Sequence, residues 1–234
     1  MTTTALVSGG KDSVYAAYLA DTQGWPVDEL LTVRPSDPDS MMFHTPNLAL
    51  VALQAKAWGK RHREVRAPMG DPDGELAALE RALQGDRGPI VAGAIASSFQ
   101  WSRLLRVGDA VGRRVYVPLW RKEPARVVRE EIDAGLDIRF VHLAAEPLTP
   151  ELLGTRLDAA ALSDLERRSR STRRLHVAGE GGEYETLVVD APFFSSRIEL
   201  DRTERVLTGS TSRLDVSSAH LLRKTPLGNS GLPE

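Results

Sequence analysis

The 234-residue chain contains no cysteine. That absence excludes a disulfide framework, a thiolate zinc site and a cysteine nucleophile. Long apolar runs are missing too: no stretch approaches 18 apolar residues, so no membrane-spanning helix is expected. The N-terminus enters a strand pattern without the design of a signal peptide, and a cytoplasmic protein with no membrane partner is the expectation. Nor is there an excess of charge of one sign. Thirty basic residues against 32 acidic ones leave a net charge of −2, so no global basic field favours nucleic acid as a partner. The remaining balance, 41% hydrophobic and 26% charged, is ordinary for a globular protein with room for one large or two small domains.

Apolar runs alternate with helical spacing through the first half. TALVS (4–8), VDELLTV (27–33), HREVRA (62–67), PIVAGAI (89–95) and RVYVPLW (114–120) read as strands. Helical patterns lie between them at 13–23, 46–58, 74–84 and 98–111. At 46–58, Thr45 offers a cap, Pro46 suits a first turn and Gly59 follows the last periodic residue. Such β-α-β-α alternation predicts an α/β fold, a parallel sheet covered on both faces, with ligands at the C-terminal strand ends near the switch in strand order. Beyond Trp120 the pattern changes. A helix is predicted over 124–135, a strand over 137–143, a helix over 158–170 and β-rich pieces up to about Val216. We divide the chain into a first domain at 1–122 and a smaller α+β domain at 123–223. The Pro/Gly-rich tail at 224–234 is expected to be disordered.

The stretch SGGKDS (8–13) joins the first strand to the first helix. Gly9 and Gly10 allow a close backbone approach, Lys11 adds positive charge, and Ser8 and Ser13 offer hydroxyls at a helix N-terminus that favours anions. The spacing fits neither the Walker A loop nor G-x-G-x-x-G. From spacing alone this is either a pyrophosphate site or an ordinary Gly-rich turn. Asp12 beside an anion site makes sense where it holds Mg²⁺ or orients a substrate. GEGGEYET (179–186) places Glu180, Glu183 and Glu185 around the Gly181–Gly182 pair. Close acids repel unless a cation shares the space; otherwise the stretch is a solvated acidic turn.

SGGKDS following a first strand resembles the PP-loop of the ATP pyrophosphatases, whose members use a HUP-type doubly wound sheet. MFHTPN (42–47), GAIASSFQWSR (93–103), VPLW (117–120) and GEGGEYETLVVDAPFF (179–194) are similar, in that order, to blocks of the diphthine–ammonia ligase family, also called the ATP-binding domain 4 family. The resemblance runs from about residue 4 to 200. It implies ATP with Mg²⁺, ammonia, and diphthine on elongation factor 2 as the acceptor. Ser98 departs from the Asp expected there, a sign of a different acceptor carboxylate or of local variation.

The resemblance also implies roles for individual residues. Ser8, Gly9, Gly10, Lys11, Asp12 and Ser13 are expected to hold ATP, Asp12 with Mg²⁺, together with Gly93 and His44, which follows the second strand. Glu183 and Glu185 would position ammonia or take its proton, because an ammonium must lose one before it attacks. Glu180, Gly181 and Gly182 would approach the substrate. Gln100 and Arg103, three apart on one helical side, would face the cleft, with Arg103 on the α-phosphate or a substrate carboxylate; a solvated helix face is the alternative. Asn47 either caps its helix or meets substrate. Trp101 and Trp120 read as packing residues. His62, His142, His176 and His220 show no ligand spacing. The basic run ERRSRSTRR (166–174) is a solvated helix end or a dock for an acidic protein.

The lack of cysteine sets the chain apart from sulfur-transferring PP-loop enzymes and rules out a cysteine glutaminase within it. Ammonia must then come from solution or from another protein. A lysidine-type tRNA ligase and a nucleotide sensor without turnover are the rival readings. A homodimer is the default oligomer.

Overall fold

The computed structural model describes residues 1–35, 47–67, 72–172 and 175–225. The first half follows the β-α alternation. In chain order it comprises β1 (Thr3–Leu6), α1 (Lys11–Thr22), β2 (Val27–Pro35), a 3-10 turn (Leu48–Leu50), α2 (Val51–Trp58) and β3 (Arg61–Ala67). Then come α3 (Pro72–Leu83), β4 (Ile90–Val91), α4 (Ser98–Val111) and β5 (Val115–Tyr116). All pairings are parallel, in the order β3-β2-β1-β4-β5. The order reverses between β1 and β4, so this is a doubly wound sheet with its switch point beside the first turn.

The second half is α+β. It contains α5 (Pro124–Asp133), β6 (Asp137–Leu143), α6 (Ala159–Thr172), β7 (Tyr184–Asp190), β8 (Ser196–Thr208) and β9 (Thr211–Arg223). The four strands form a separate antiparallel sheet, ordered β7-β6-β9-β8. The two halves share one apolar core. Ala5, Val14 and Val91 belong to the same cluster as Val127 and Val128 of α5 and Phe140, Leu187 and Val188 of the second sheet. A smaller cluster lies between β2 and α3, where Leu31 and Val33 meet Leu76 and Leu79.

Several boundaries differ from the sequence reading. Helix α1 begins at Lys11, two residues before Ser13, because Gly10 takes an extended conformation (φ −77°, ψ 164°) and acts as its N-cap. Strands β4 and β5 are only two residues long. Beyond Val91 the Ala92 N–H still donates to Tyr116 O at 3.1 Å, after which the chain leaves the sheet and the N–H groups of Ile95 and Ala96 serve the cleft described below. Strand β9 runs on to Arg223, past Val216. Lys224, placed in the disordered tail by the sequence reading, is instead anchored: its Nζ reaches Ala191 O at 2.5 Å and Asp190 Oδ1 at 2.6 Å. Residues 226–234 lie outside the described residues. Among the described residues no helix is long and apolar enough to cross a membrane.

Candidate active site

A cleft opens at the C-terminal ends of β1, β2 and β4. Its floor is the turn from Ser8 to Ser13, its side walls include Leu31, Val33 and Gly93, and its roof is the 178–186 stretch that enters β7. The floor turn is built by its glycines. Gly9 has φ +87°, a conformation that disfavours any side chain. Ser13 Oγ donates to Gly10 O at 3.0 Å and accepts from Ser8 N at 3.2 Å, which closes the loop on itself.

The roof and floor are stitched together by backbone. Val188 N donates to Gly9 O at 2.9 Å, and Lys11 N donates to Thr186 Oγ1 at 3.2 Å. The outer edge of β7 is thus covered by the loop of the first half, which satisfies an edge strand that would otherwise expose its ladder. Gln54 of α2, fully buried, adds two bonds from one amide: Nε2 donates to Gly9 O at 2.9 Å and to Val188 O at 2.7 Å.

Lys11 does not point into solvent. It is 1% exposed, and its ammonium donates to Asp12 Oδ1 (2.7 Å), Asp12 Oδ2 (2.8 Å) and Ala178 O (2.8 Å). Glu131 of α5, with no exposed surface, lies 3.9 Å away, and the Tyr184 ring is 5.8 Å from the ammonium. Burial alone pulls the Lys11 ammonium down, but the Asp12 and Glu131 carboxyls and Tyr184 outweigh it and hold it well above the ordinary lysine range. Glu131 moves the other way for an acid: burial pushes it well above the carboxylate range, Lys11 draws it back in part, and Asp12 pushes it further up. Burial likewise raises the Tyr184 phenol. Burial and Asp12 thus favour the protonated form of Glu131, while the same acids favour the charged form of Lys11.

The expected residues divide into two groups. Ser8, Gly10, Lys11, Asp12, Ser13, Gly93, Gln100, Glu180 and Glu185 line the cleft. Gly93 is there for packing: a Cβ on it would stand 2.6 Å from Asp12 C and O and 2.8 Å from Ser13 N. Gly9 shapes the floor, and Gly181 and Gly182 carry the roof loop. Three others have employment elsewhere. Asn47, at φ +58°, uses its side-chain amide on β9, donating to Leu214 O and accepting from Val216 N. Arg103 lays its guanidinium 3.4 Å from the Phe99 ring centre, and it does not line the cleft. Glu183 accepts from His176 N at 2.9 Å with one oxygen and from Gly181 N at 2.8 Å with the other, which caps its own loop. His44 lies outside the described residues. Trp101 and Trp120 stack at 4.8 Å, the packing role expected of them. No group of three or more His, Cys, Asp or Glu poised for a metal occurs among the described residues.

Sequence reasoning missed Glu131 and Gln54. Both left a signal. Glu131 stands four residues after Val127 and three after Val128, so helical spacing puts a carboxyl on the buried stripe of α5. Gln54 follows Val51 by three on the buried face of α2 in the same way.

A doubly wound parallel sheet, a glycine-built turn at its switch point and a cleft above that turn define an α/β nucleotide-binding protein of the PP-loop class. Residues 1–115 match the diphthamide synthase N-terminal domain, and residues 123–222 match the diphthamide synthase C-terminal domain. The chain belongs to the diphthamide synthase family. It is 31% identical to a diphthine–ammonia ligase of Danio rerio over 229 residues, covering 88% of this chain and 89% of that one. A Schizosaccharomyces pombe diphthine–ammonia ligase is 29% identical over 86% of this chain, which spans 36% of that longer protein. A solved Methanocaldococcus jannaschii chain, described as a predicted subunit of tRNA methyltransferase, covers 82% of this chain and is itself covered to 98%, at 16% identity and a TM-score of 0.46.

Proposed function

We propose that the protein is an ATP-dependent ligase that adenylates the carboxylate of diphthine on elongation factor 2 and aminates it with ammonia, releasing AMP and pyrophosphate. The observation that carries this reading is the convergence of two sequence blocks far apart in the chain. SGGKDS forms the floor and GEGGEYET the roof of one cleft, with Lys11 bonded to both Asp12 and Ala178 O.

The chemistry follows from the layout. A carboxylate is a poor acyl donor, so one of its oxygens attacks the α-phosphorus and the bond to the pyrophosphate oxygen breaks. Ammonia then adds to the acyl carbon and AMP departs with the shared oxygen. The turn from Ser8 to Ser13 supplies hydroxyls and the N-terminus of α1 to the phosphates. The buried Lys11 ammonium is held between that turn and the roof by Asp12 and Ala178 O, a fixed positive charge in a site that needs no reorganisation as charge develops. Mg²⁺ suits this donor set, since it commonly takes one or two carboxylates and completes its shell with phosphate oxygens and water. Asp12, with 29% of its side chain exposed, is the residue that would hold it. When bound, the ion supplies charge neutralisation on the leaving pyrophosphate.

Glu180 and Glu183 place both carboxylate oxygens on backbone N–H groups. Glu185 lines the cleft at the start of β7, and we assign it the proton released when ammonium becomes a nucleophile.

Product analysis tests the reading. Incubation with α-labelled ATP, ammonium and diphthine-bearing elongation factor 2 is expected to give labelled AMP and the amidated factor. Label in ADP, or no turnover with that factor, contradicts it.

A further inference from the structure

The roof loop is held in shape by its own contacts. Glu183 caps His176 N and Gly181 N, Gly182 N donates to Gly179 O at 3.1 Å, and Tyr184 Oη donates to Val177 O at 2.6 Å. Glu180 adds to them only its backbone N–H, which reaches His176 Nδ1 at 3.4 Å, and its side chain takes no part. The Glu180 carboxylate instead crosses to the first half of the molecule. Its Oε1 accepts from Ile95 N and its Oε2 from Ala96 N, both at 2.6 Å.

Two consecutive backbone N–H groups converging on one carboxylate form an anion-binding concavity, and bonds to a charged acceptor are the strong kind. The pair stands just beyond β4, across the switch point from β1, and Ala94 and Glu180 both line the cleft. Ile95 is fully buried while Ala96 and Gly181 are exposed, so the pair runs from the interior to the surface and its Ala96 end is where a side chain carried on another protein would enter. Glu180 itself is flanked by Gly179, at φ +75°, and by Gly181 and Gly182.

We propose that the Ile95–Ala96 amide pair is the seat of the acceptor carboxylate, and that Glu180 occupies this seat until the acceptor displaces it. The inference rests on the ligase reading above. Exchanging one carboxylate for another leaves no buried N–H unpaired, which removes the usual penalty for vacating such a site. The seat also suits both steps. In the first, one seated oxygen attacks the α-phosphorus while the other stays on its N–H. In the second, ammonia adds to the carbonyl carbon, and that same N–H faces the oxyanion that forms and then collapses with expulsion of AMP.

The test compares wild type, Glu180→Gln and Glu180→Ala. Sodium acetate, with sodium chloride as control, is titrated into ¹⁵N-labelled protein while the Ile95 and Ala96 amide resonances are followed. Saturable shifts are expected in Glu180→Ala, weaker ones in Glu180→Gln, whose side-chain oxygen still occupies one N–H, and none in wild type at the same concentrations. In turnover, Glu180→Ala should lower KM for the protein acceptor by roughly 10-fold or more, the effect of removing an internal competitor worth at least about 1.4 kcal/mol. The KM for ATP should stay constant. Acetate-insensitive resonances in all three proteins overturn the proposal, and so does a raised acceptor KM in Glu180→Ala, the mark of a strut. Neither result touches the ligase reading, which fails separately if wild type forms no AMP; the acceptor seat then falls with it.

Discussion

Glu131 is a carboxyl with no exposed surface, 3.9 Å from a lysine that already has three acceptors. Its proton affinity makes folding depend on pH. Its carboxyl is raised in the folded state above the ordinary 4.5, so below that pH both folded and unfolded chains hold the proton and the group contributes nothing. As pH rises through 4.5 the unfolded chain releases the proton while the folded chain keeps it, and stability falls until the folded carboxyl ionises. Glu131→Gln removes that loss. Urea midpoints of the variant and wild type should differ little near pH 4 and diverge above pH 5 in favour of Gln. Parallel curves would contradict the assignment. At this scale the sequence was a partial guide. SGGKDS pointed to Lys11 as a charge at an anion loop, yet its burial depends on Ala178 and Glu131, from segments that no local pattern ties to it. Among the three clustered acids, spacing could not separate Glu183, folded back on its own loop, from Glu185 on the cleft wall.

Strands β1 and β4 and helix α1 form the element that positions the cleft, and Gly93 is the contact on which they meet. Any Cβ there would sit 2.6 Å from the Asp12 backbone. Gly93→Ala must push the first turn of α1 away from β4, an overpacking cost of about 1–3 kcal/mol, and the displacement falls on the turn we assign to the phosphates. We expect a lower melting temperature together with ATP affinity reduced by at least about 10-fold, the equivalent of 1.4 kcal/mol. A variant that melts lower but binds ATP normally would show that the turn is not the nucleotide floor. The alternation of strand and helix was legible because both faces of a parallel sheet are covered and its strands are continuous apolar runs. Element ends were less so. PIVAGAI reads as one strand, yet the strand is only Ile90–Val91 with one further ladder bond from Ala92 N to Tyr116 O, and at its far end the N–H groups of Ile95 and Ala96 go to Glu180 instead. The β8–β9 hairpin extends past Val216 with polar residues on both faces, a pattern that carries little alternation to read.

Across the whole molecule the two sheets are joined by one core and by the backbone stitch between Gly9 and Val188. Neither half can lose the other without exposing apolar surface from α1, α5 and β7. A single unfolding transition is expected, with tryptophan fluorescence, far-UV circular dichroism and calorimetry coincident. Two separated transitions would mean that the shared core is weaker than its burial indicates. The sequence suggested a boundary near 122 from the change of pattern, but a change of pattern does not reveal that the second sheet offers its edge strand to the loop of the first. On the proposed reaction, this joined cleft transfers an acceptor oxygen to the α-phosphate of ATP. The most direct measurement uses elongation factor 2 whose diphthine carboxylate carries ¹⁸O at both oxygens, incubated with ATP and ammonium, with mass analysis of the nucleotide. One ¹⁸O in the phosphate of AMP is expected for each amide formed, and none in pyrophosphate. Unlabelled AMP alongside amide, or ¹⁸O in inorganic phosphate with ADP, would contradict it.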